Sequence, residues 1–135
     1  MSFVKILADV AATESLAVSL AQRVSYPLVV YLRGEIGTGK TTFARAFLRA
    51  RGVDGAIKSP TFTLFESYDT ASGPVFHLDL YRISAAAELE YLGLRDLVAT
   101  PAWWLIEWPE YGVGYLPAAD LEIALTYANE GRQVE

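Results

Sequence analysis

The sequence predicts an α/β fold, a central mixed β-sheet with helices on its faces, and three observations carry that prediction. Apolar runs of strand length alternate with helix-period segments along the chain. One β-branched run passes directly through a glycine-rich loop into a helical pattern, and 53% hydrophobic residues among 135 suffice for a real core. With no internal repeat, low-complexity tract or long linker, the expectation is one domain over residues 1–135.

The elements follow in order. Residues 3–7 are expected as the first strand, and 13–24 as a helix with Leu16, Leu20 and Val24 at i, i+4 and i+8 on one side. After Pro27, the run 28–32 (Leu-Val-Val-Tyr-Leu) has the character of a buried parallel strand, and 42–51 reads as a helix ended by Gly52. Residues 61–68 are rich in β-formers, and Gly73-Pro74 punctuates a turn before a strand over 75–80, so the two are expected to form a hairpin. Ser84 is placed to cap a helix over 85–92 that Gly93 ends. A strand is expected over 103–108 and a half-buried one over 121–127, after which Asn129-Glu130-Gly131 turns the chain back.

Between the strand 28–32 and the following helix stands Gly34-Glu35-Ile36-Gly37-Thr38-Gly39-Lys40-Thr41-Thr42, a complete GxxxxGKT sequence. Its specified positions would coincide by chance about once in a few hundred chains of this length. Glycines let successive N–H groups turn inward around an anion, a lysine brings a point charge to the β/γ-phosphates, and a hydroxyl ligates Mg²⁺. The motif in this setting predicts a three-layer sandwich of the P-loop NTPase type. It marks Glu35, Gly37, Thr38, Gly39, Lys40, Thr41 and Thr42 as nucleotide-binding positions. A plain glycine-rich turn before a helix would leave Lys40 unexplained.

Such a site needs a second carboxylate near the metal, commonly at the end of an apolar strand. Val75-Phe76-His77-Leu78-Asp79 and Trp103-Trp104-Leu105-Ile106-Glu107 both end in an acid, and residue reading alone leaves both open. The loop Lys58-Ser59-Pro60-Thr61-Phe62-Thr63-Leu64 is hydroxyl-rich and follows the P-loop helix, as segments that sense a γ-phosphate do. Taken alone it reads rather as an ordinary strand start whose threonines face solvent. His77, the single histidine, lacks metal-ligand companions, and of the adjacent Trp103 and Trp104 one is expected in the core and the other at a surface or partner contact. Arg45 and Arg49 share one helix face, read as solvated with a partner contact as the sharper alternative.

A net charge of −5 argues against a nucleic-acid-binding surface, and of only three lysines Lys40 and Lys58 lie in or near the expected phosphate site. The absence of cysteine excludes disulfides and thiolate metal sites. No apolar run approaches the roughly 20 residues of a membrane span, and the N-terminus lacks the apolar stretch of a signal peptide. A soluble, cytoplasmic protein is therefore expected.

Taken together, GxxxxGKT, Ser59-Pro60-Thr61-Phe62-Thr63-Leu64, His77-Leu78-Asp79-Leu80-Tyr81-Arg82, Glu88-Leu89-Glu90 before Gly93, and Leu105-Ile106-Glu107-Trp108-Pro109-Glu110 resemble the bacterial TsaE family, formerly YjeE. The resemblance implies an ATPase, with ATP and Mg²⁺ as cofactors, needed for threonylcarbamoyladenosine beside the anticodon of tRNA. It implies TsaB and TsaD as partners: TsaD transfers the threonylcarbamoyl group from an adenylate made by TsaC, while ATP hydrolysis supports turnover of the assembly. Activity would be weak alone and stimulated by the complex, and tRNA would be handled mainly through the partners, in keeping with the acidic charge. By the same resemblance Lys40 meets the β/γ-phosphates, Thr41 and Glu107 hold Mg²⁺, and Asp79 orients the attacking water. Thr42 lies beside the phosphates, Thr61 and Thr63 belong to the switch-like loop, and Trp108, Glu110 and Arg132 lie near the nucleotide, with Thr13 at its base side. Family members usually continue beyond the final hairpin, so either a naturally short member or a missing tail is expected. Among rivals, a small-molecule kinase would need an acceptor pocket and a lid arginine, and a GTPase an NKxD sequence that is absent. A nucleotide-gated binding module, whose ATP state controls assembly, is the alternative that overlaps the family role.

Overall fold

The computed structural model describes residues 5–7, 9–60, 63–128 and 131–134. Within them one sheet contains β1 (Lys5–Leu7), β2 (Leu28–Arg33), β3 (Phe65–Asp69), β4 (Pro74–Asp79), β5 (Trp103–Glu107), β6 (Leu121–Ala128) and β7 (Gly131–Val134), in the order β1-β7-β6-β2-β5-β4-β3. The middle strands β6, β2, β5 and β4 are parallel, and antiparallel pairs close both edges. This is the mixed sheet expected from sequence. The β3–β4 hairpin forms as expected, turned through Thr70 and Gly73, whose N–H and carbonyl groups exchange bonds of 2.9 and 3.1 Å. Asn129 and Glu130 of the expected last turn lie outside the described residues, but Ala128 pairs with Gly131 on either side of them. The chain then continues as β7, which also pairs with β1.

The helices are α1 (Val10–Arg23), α2 (Lys40–Ala50) and α3 (Leu94–Val98), with 3₁₀ segments at Ala86–Leu92 and Pro109–Gly112. Helix α1 begins before the expected residue 13 because Asp9 caps it, its Oδ1 accepting the Ala12 N–H at 2.8 Å. Its buried stripe is Thr13, Ala17 and Ala21, while Leu16 and Leu20 are only partly buried beside it. Small side chains on that stripe let α1 approach α2 closely, so the larger leucines cover the flanks. Residues 86–92 tighten into a 3₁₀ helix preceded by Ala85 rather than an α-helix capped by Ser84. Ser84 instead donates its N–H to the Glu88 carboxylate at 3.1 Å. Gly93, left-handed at φ 73°, ends that segment as expected and at once starts α3, a turn the sequence reading missed.

Strand alternation sorts the core into two layers. Val30 and Leu32 of β2, Val75 of β4, Trp103 and Leu105 of β5, and Ile123 and Leu125 of β6 face α1 and α2. Phe76, Leu78, Trp104 and Ile106 face the other side, beneath Leu89 and Leu94. Because both faces are covered, both tryptophans are buried, and the expected surface tryptophan does not exist. Trp103 meets Phe47 edge-on at 5.7 Å and Trp104 meets Phe76 at 4.9 Å. Replacing either tryptophan by alanine is expected to cost about 3–5 kcal/mol in denaturant unfolding. A loss under about 0.5 kcal/mol at position 104 would place that ring at the surface after all.

Candidate functional site

The parallel strands end at one level. Register pairs Leu32 with Glu107 and Glu107 with Asp79, so the ends of β2, β5 and β4 stand side by side, where sites of open α/β sheets gather. Alternation decides the rest: Glu107 shares its face of β5 with Trp103 and Leu105, and His77 and Asp79 share theirs with Val75. All three therefore point to the side on which α2 begins, and all are buried, at 2%, 1% and 5% exposure.

The glycine loop joins β2 to α2. Gly34, at φ 147°, lies so close to β6 that a Cβ would collide with the Leu125 carbonyl oxygen and stand 2.7 Å from Thr38 Oγ1. Gly39, left-handed at φ 105°, precedes α2 with no side-chain cap, leaving the first-turn N–H groups and the positive end of the helix dipole to face the loop. Thr38 is buried beneath the loop and donates its hydroxyl to the Glu35 carbonyl at 2.8 Å. Lys40 folds back so that Nζ donates to the carbonyls of Gly34 and, at 2.9 Å, Glu35, and lies 4.2 Å from the centre of the Trp108 ring. Burial pushes its ammonium below the usual lysine range, against the opposing pull of Glu107, Asp79, Glu110 and Glu35.

Thr41, in the first turn of α2, donates its hydroxyl to Glu107 at 2.9 Å from Oε1 and 3.2 Å from Oε2. His77 Nε2 stands 2.7 Å from the same Oε2. The Asp79 carboxylate accepts the Tyr81 N–H at 3.1 Å, and its own N–H donates to the Leu64 carbonyl at 3.0 Å, tying the end of the hydroxyl-rich loop to β4. A cleft of about 380 Å³ opens here, lined by Gly37, Gly39, Lys40, Thr41, Thr42, Asp79 and Glu107 together with Ile36, Tyr81, Arg82 and Trp108. Trp108 has a left-handed backbone, φ 58°, uncommon for a bulky residue, and its ring stacks on Tyr111 at 5.6 Å and leans on Tyr81 at 4.9 Å.

The other residues marked from sequence lie around this cleft rather than in it. Thr13 is buried under the loop, its methyl 3.6 Å from where a Cβ on Gly39 would be, and Glu35 is exposed and contributes its carbonyl. Glu110 pairs with Arg33 at 3.7 Å, and Arg33 also grips Glu122 at 2.8 Å. Arg132 is in β7, paired with Leu7 and Tyr127, and Thr61 lies outside the described residues. Thr63 bonds Glu66 at 3.1 Å, and Lys58 is exposed with its backbone engaged by the Tyr68 hydroxyl. Arg45 and Arg49 are exposed, the latter donating to the Val53 carbonyl at 3.0 Å. The sequence noted only that His77 lacks metal-ligand companions and did not foresee its contact to Glu107; the signal was the i, i+2 spacing to Asp79, which puts both on one strand face. The Arg33 pairs had no such signal, since their partners are 77 and 89 positions away in a straightforward count along the chain.

A family model described as "Threonylcarbamoyl adenosine biosynthesis protein TsaE" matches residues 7–134. The chain belongs to the TsaE family. Relatives named tRNA threonylcarbamoyladenosine biosynthesis protein TsaE include one from Haemophilus influenzae, 44% identical over 108 residues, covering 80% of this chain and 68% of the relative. Another, from Nostoc, is 35% identical and covers 96% and 82%. The crystal structure of Bacillus subtilis YdiB superposes with a TM-score of 0.75 at 26% identity, covering 99% of this chain and 86% of that one. That fold agrees with the α/β architecture described above.

Because the Gly34 position has no room for a side chain, Gly34→Ala is expected to lower stability by roughly 1–3 kcal/mol in thermal unfolding without any ligand. Unchanged melting would show that the loop can move off β6.

Proposed function

We propose that this protein is a Mg²⁺-dependent P-loop ATPase acting in tRNA threonylcarbamoyladenosine biosynthesis, where its hydrolysis of ATP supports turnover of a TsaB–TsaD assembly. The observation that carries the reading is the bond from the Thr41 hydroxyl to Glu107, made where the glycine loop enters α2. The donor set fits a phosphate-held Mg²⁺: one hydroxyl, one carboxylate, and, among the described residues, no cluster of three or more His, Cys, Asp or Glu side chains able to cage a cation alone. Thr41 and Glu107 would hold the ion, which supplies neutralisation of the charge between phosphate groups.

The chain's own residues supply the rest. N–H groups of Gly37 to Thr42 and the Lys40 ammonium receive the β- and γ-phosphates, and an arriving anion offsets the burial that disfavours the lysine's charge. Asp79, in register with Glu107 and lining the cleft, accepts a hydrogen bond from the attacking water and aims it. Trp108 floors the lysine, and Thr13, Thr61, Glu110 and Arg132 are the further residues that the family resemblance assigns to the nucleotide's surroundings. A cytoplasmic location suits this role; among the described residues no helix is long and apolar enough to cross a membrane. The net charge of −5 suits a component that leaves tRNA binding to its partners. One domain over residues 1–135 carries all of these parts.

ATP hydrolysis measured alone and with purified TsaB–TsaD is expected to rise with the partners. Lys40→Ala is expected to reduce the stimulated rate about 10²-fold or more. Tight ATP binding without stimulation would favour a nucleotide-gated module, and turnover unchanged in the mutant would remove the loop from the chemistry. Asp79→Ala is expected to keep ATP binding while hydrolysis falls roughly 10²- to 10⁴-fold. A matching loss of affinity would make Asp79 a binding group instead.

A further inference from the structure

The only histidine of the chain is buried at 1% exposure, and its single polar contact of note is to the most buried acid of the cleft. His77 Nε2 lies 2.7 Å from Glu107 Oε2, and because a carboxylate only accepts, Nε2 carries the hydrogen. The opposite ring nitrogen, Nδ1, is buried with no hydrogen-bond partner among the described residues. A histidine kept for packing alone would gain nothing from burying an unpaired nitrogen, so the contact to Glu107 is the one polar interaction that accounts for an imidazole here.

Geometry gives that contact a task. Glu107 has two oxygens, and Thr41 approaches both from the α2 side, at 2.9 and 3.2 Å. On its own such a carboxylate could swing about its last torsion, which is broad for glutamate. His77, from the neighbouring strand, pins Oε2 and leaves Oε1 turned toward the first turn of α2. The ring is held in turn by β4, whose residues 75–79 are in unbroken register with β5.

We infer that His77 is a positioning residue for the metal carboxylate: it orients Glu107 through an Nε2–H bond and thereby sets the protein's affinity for Mg²⁺ in the nucleotide complex. This rests on the reading of Thr41 and Glu107 as the Mg²⁺ groups. Groups that hydrogen-bond a metal ligand typically contribute 10- to 100-fold to metal affinity when lost.

The test is binding of a fluorescent ATP analogue, titrated with Mg²⁺ after an initial measurement in EDTA. His77→Leu is expected to raise the Mg²⁺ concentration at half-effect about 10- to 100-fold while leaving metal-free nucleotide affinity unchanged. His77→Gln, whose amide nitrogen can take the place of Nε2, is expected to recover most of the loss, a rescue that mere packing would not produce. If His77→Leu does not fold, His77→Asn, too short to reach Oε2, takes its place. A second readout needs no variant: with one histidine, ¹⁵N-labelled imidazole gives one ring system in the NMR spectrum. Its Nε2–H proton is expected to be slow to exchange and to shift when Mg²⁺ is added to the nucleotide complex. Unaltered Mg²⁺ dependence in a folded His77→Leu, or an Nε2–H signal that Mg²⁺ does not move, overturns the inference. Wild-type binding that ignores Mg²⁺ altogether would instead overturn the assignment of Thr41 and Glu107.

Discussion

A carboxylate at 2% exposure has to be paired, and the pairing of Glu107 ties together the elements on which this site depends. Strand β5 carries the acid, the first turn of α2 reaches it through Thr41, and β4 reaches it through His77. None of these contacts would exist if β5 slipped by one residue, because the acid would then face the layer of Leu78 and Leu94. The two-layer core prevents that slip. Trp103 and Leu105 are buried on one face and Trp104 and Ile106 on the other, so a change of register would misplace large side chains in both layers at once.

The loop is subject to a different constraint, the closeness of its backbone to neighbouring structure. Gly34 touches β6 and Gly39 lies against Thr13 of α1, so the loop is wedged between the sheet and the first helix. Its carbonyls meanwhile hold Lys40, which also rests on Trp108. The result is a cation kept in place by carbonyl oxygens and an aromatic face, with four acids around it and its charge opposed by burial. A phosphate could satisfy the lysine and the helix N-terminus together, whereas the four acids oppose a bare anion and favour one accompanied by a cation.

Trp108 couples the two regions. It follows Glu107 directly, and its left-handed backbone turns the chain out of the sheet so that its ring passes under Lys40. Tyr111 and Tyr81 flank that ring and remain partly open to solvent, at 43% and 40% exposure. The cleft thus has a charged floor near the loop and an aromatic rim beside Arg82.

Much of this was legible from residues alone where the information is local. The glycine loop, the β2–loop–α2 order, the β3–β4 hairpin and the two strand-end acids are each written within a few consecutive positions, since turn chemistry and side-chain period act over that range. Ser84 misled because the segment starts one residue later, after Ala85, so that Ser84 offers only its N–H, to the Glu88 carboxylate, and the start of α1 was missed because Asp9 caps it ahead of the apolar pattern. Trp104 misled because strand alternation names two faces without saying whether both are covered. The residues thus determine an α/β chain and the place of its glycine loop between β2 and α2. Which acid meets Thr41, that His77 joins them, and that Glu110 is paired to Arg33 were decided only by strand order and register. Those contacts join segments far apart in the chain, and their distances are set by the packing of the whole sheet rather than by any local preference.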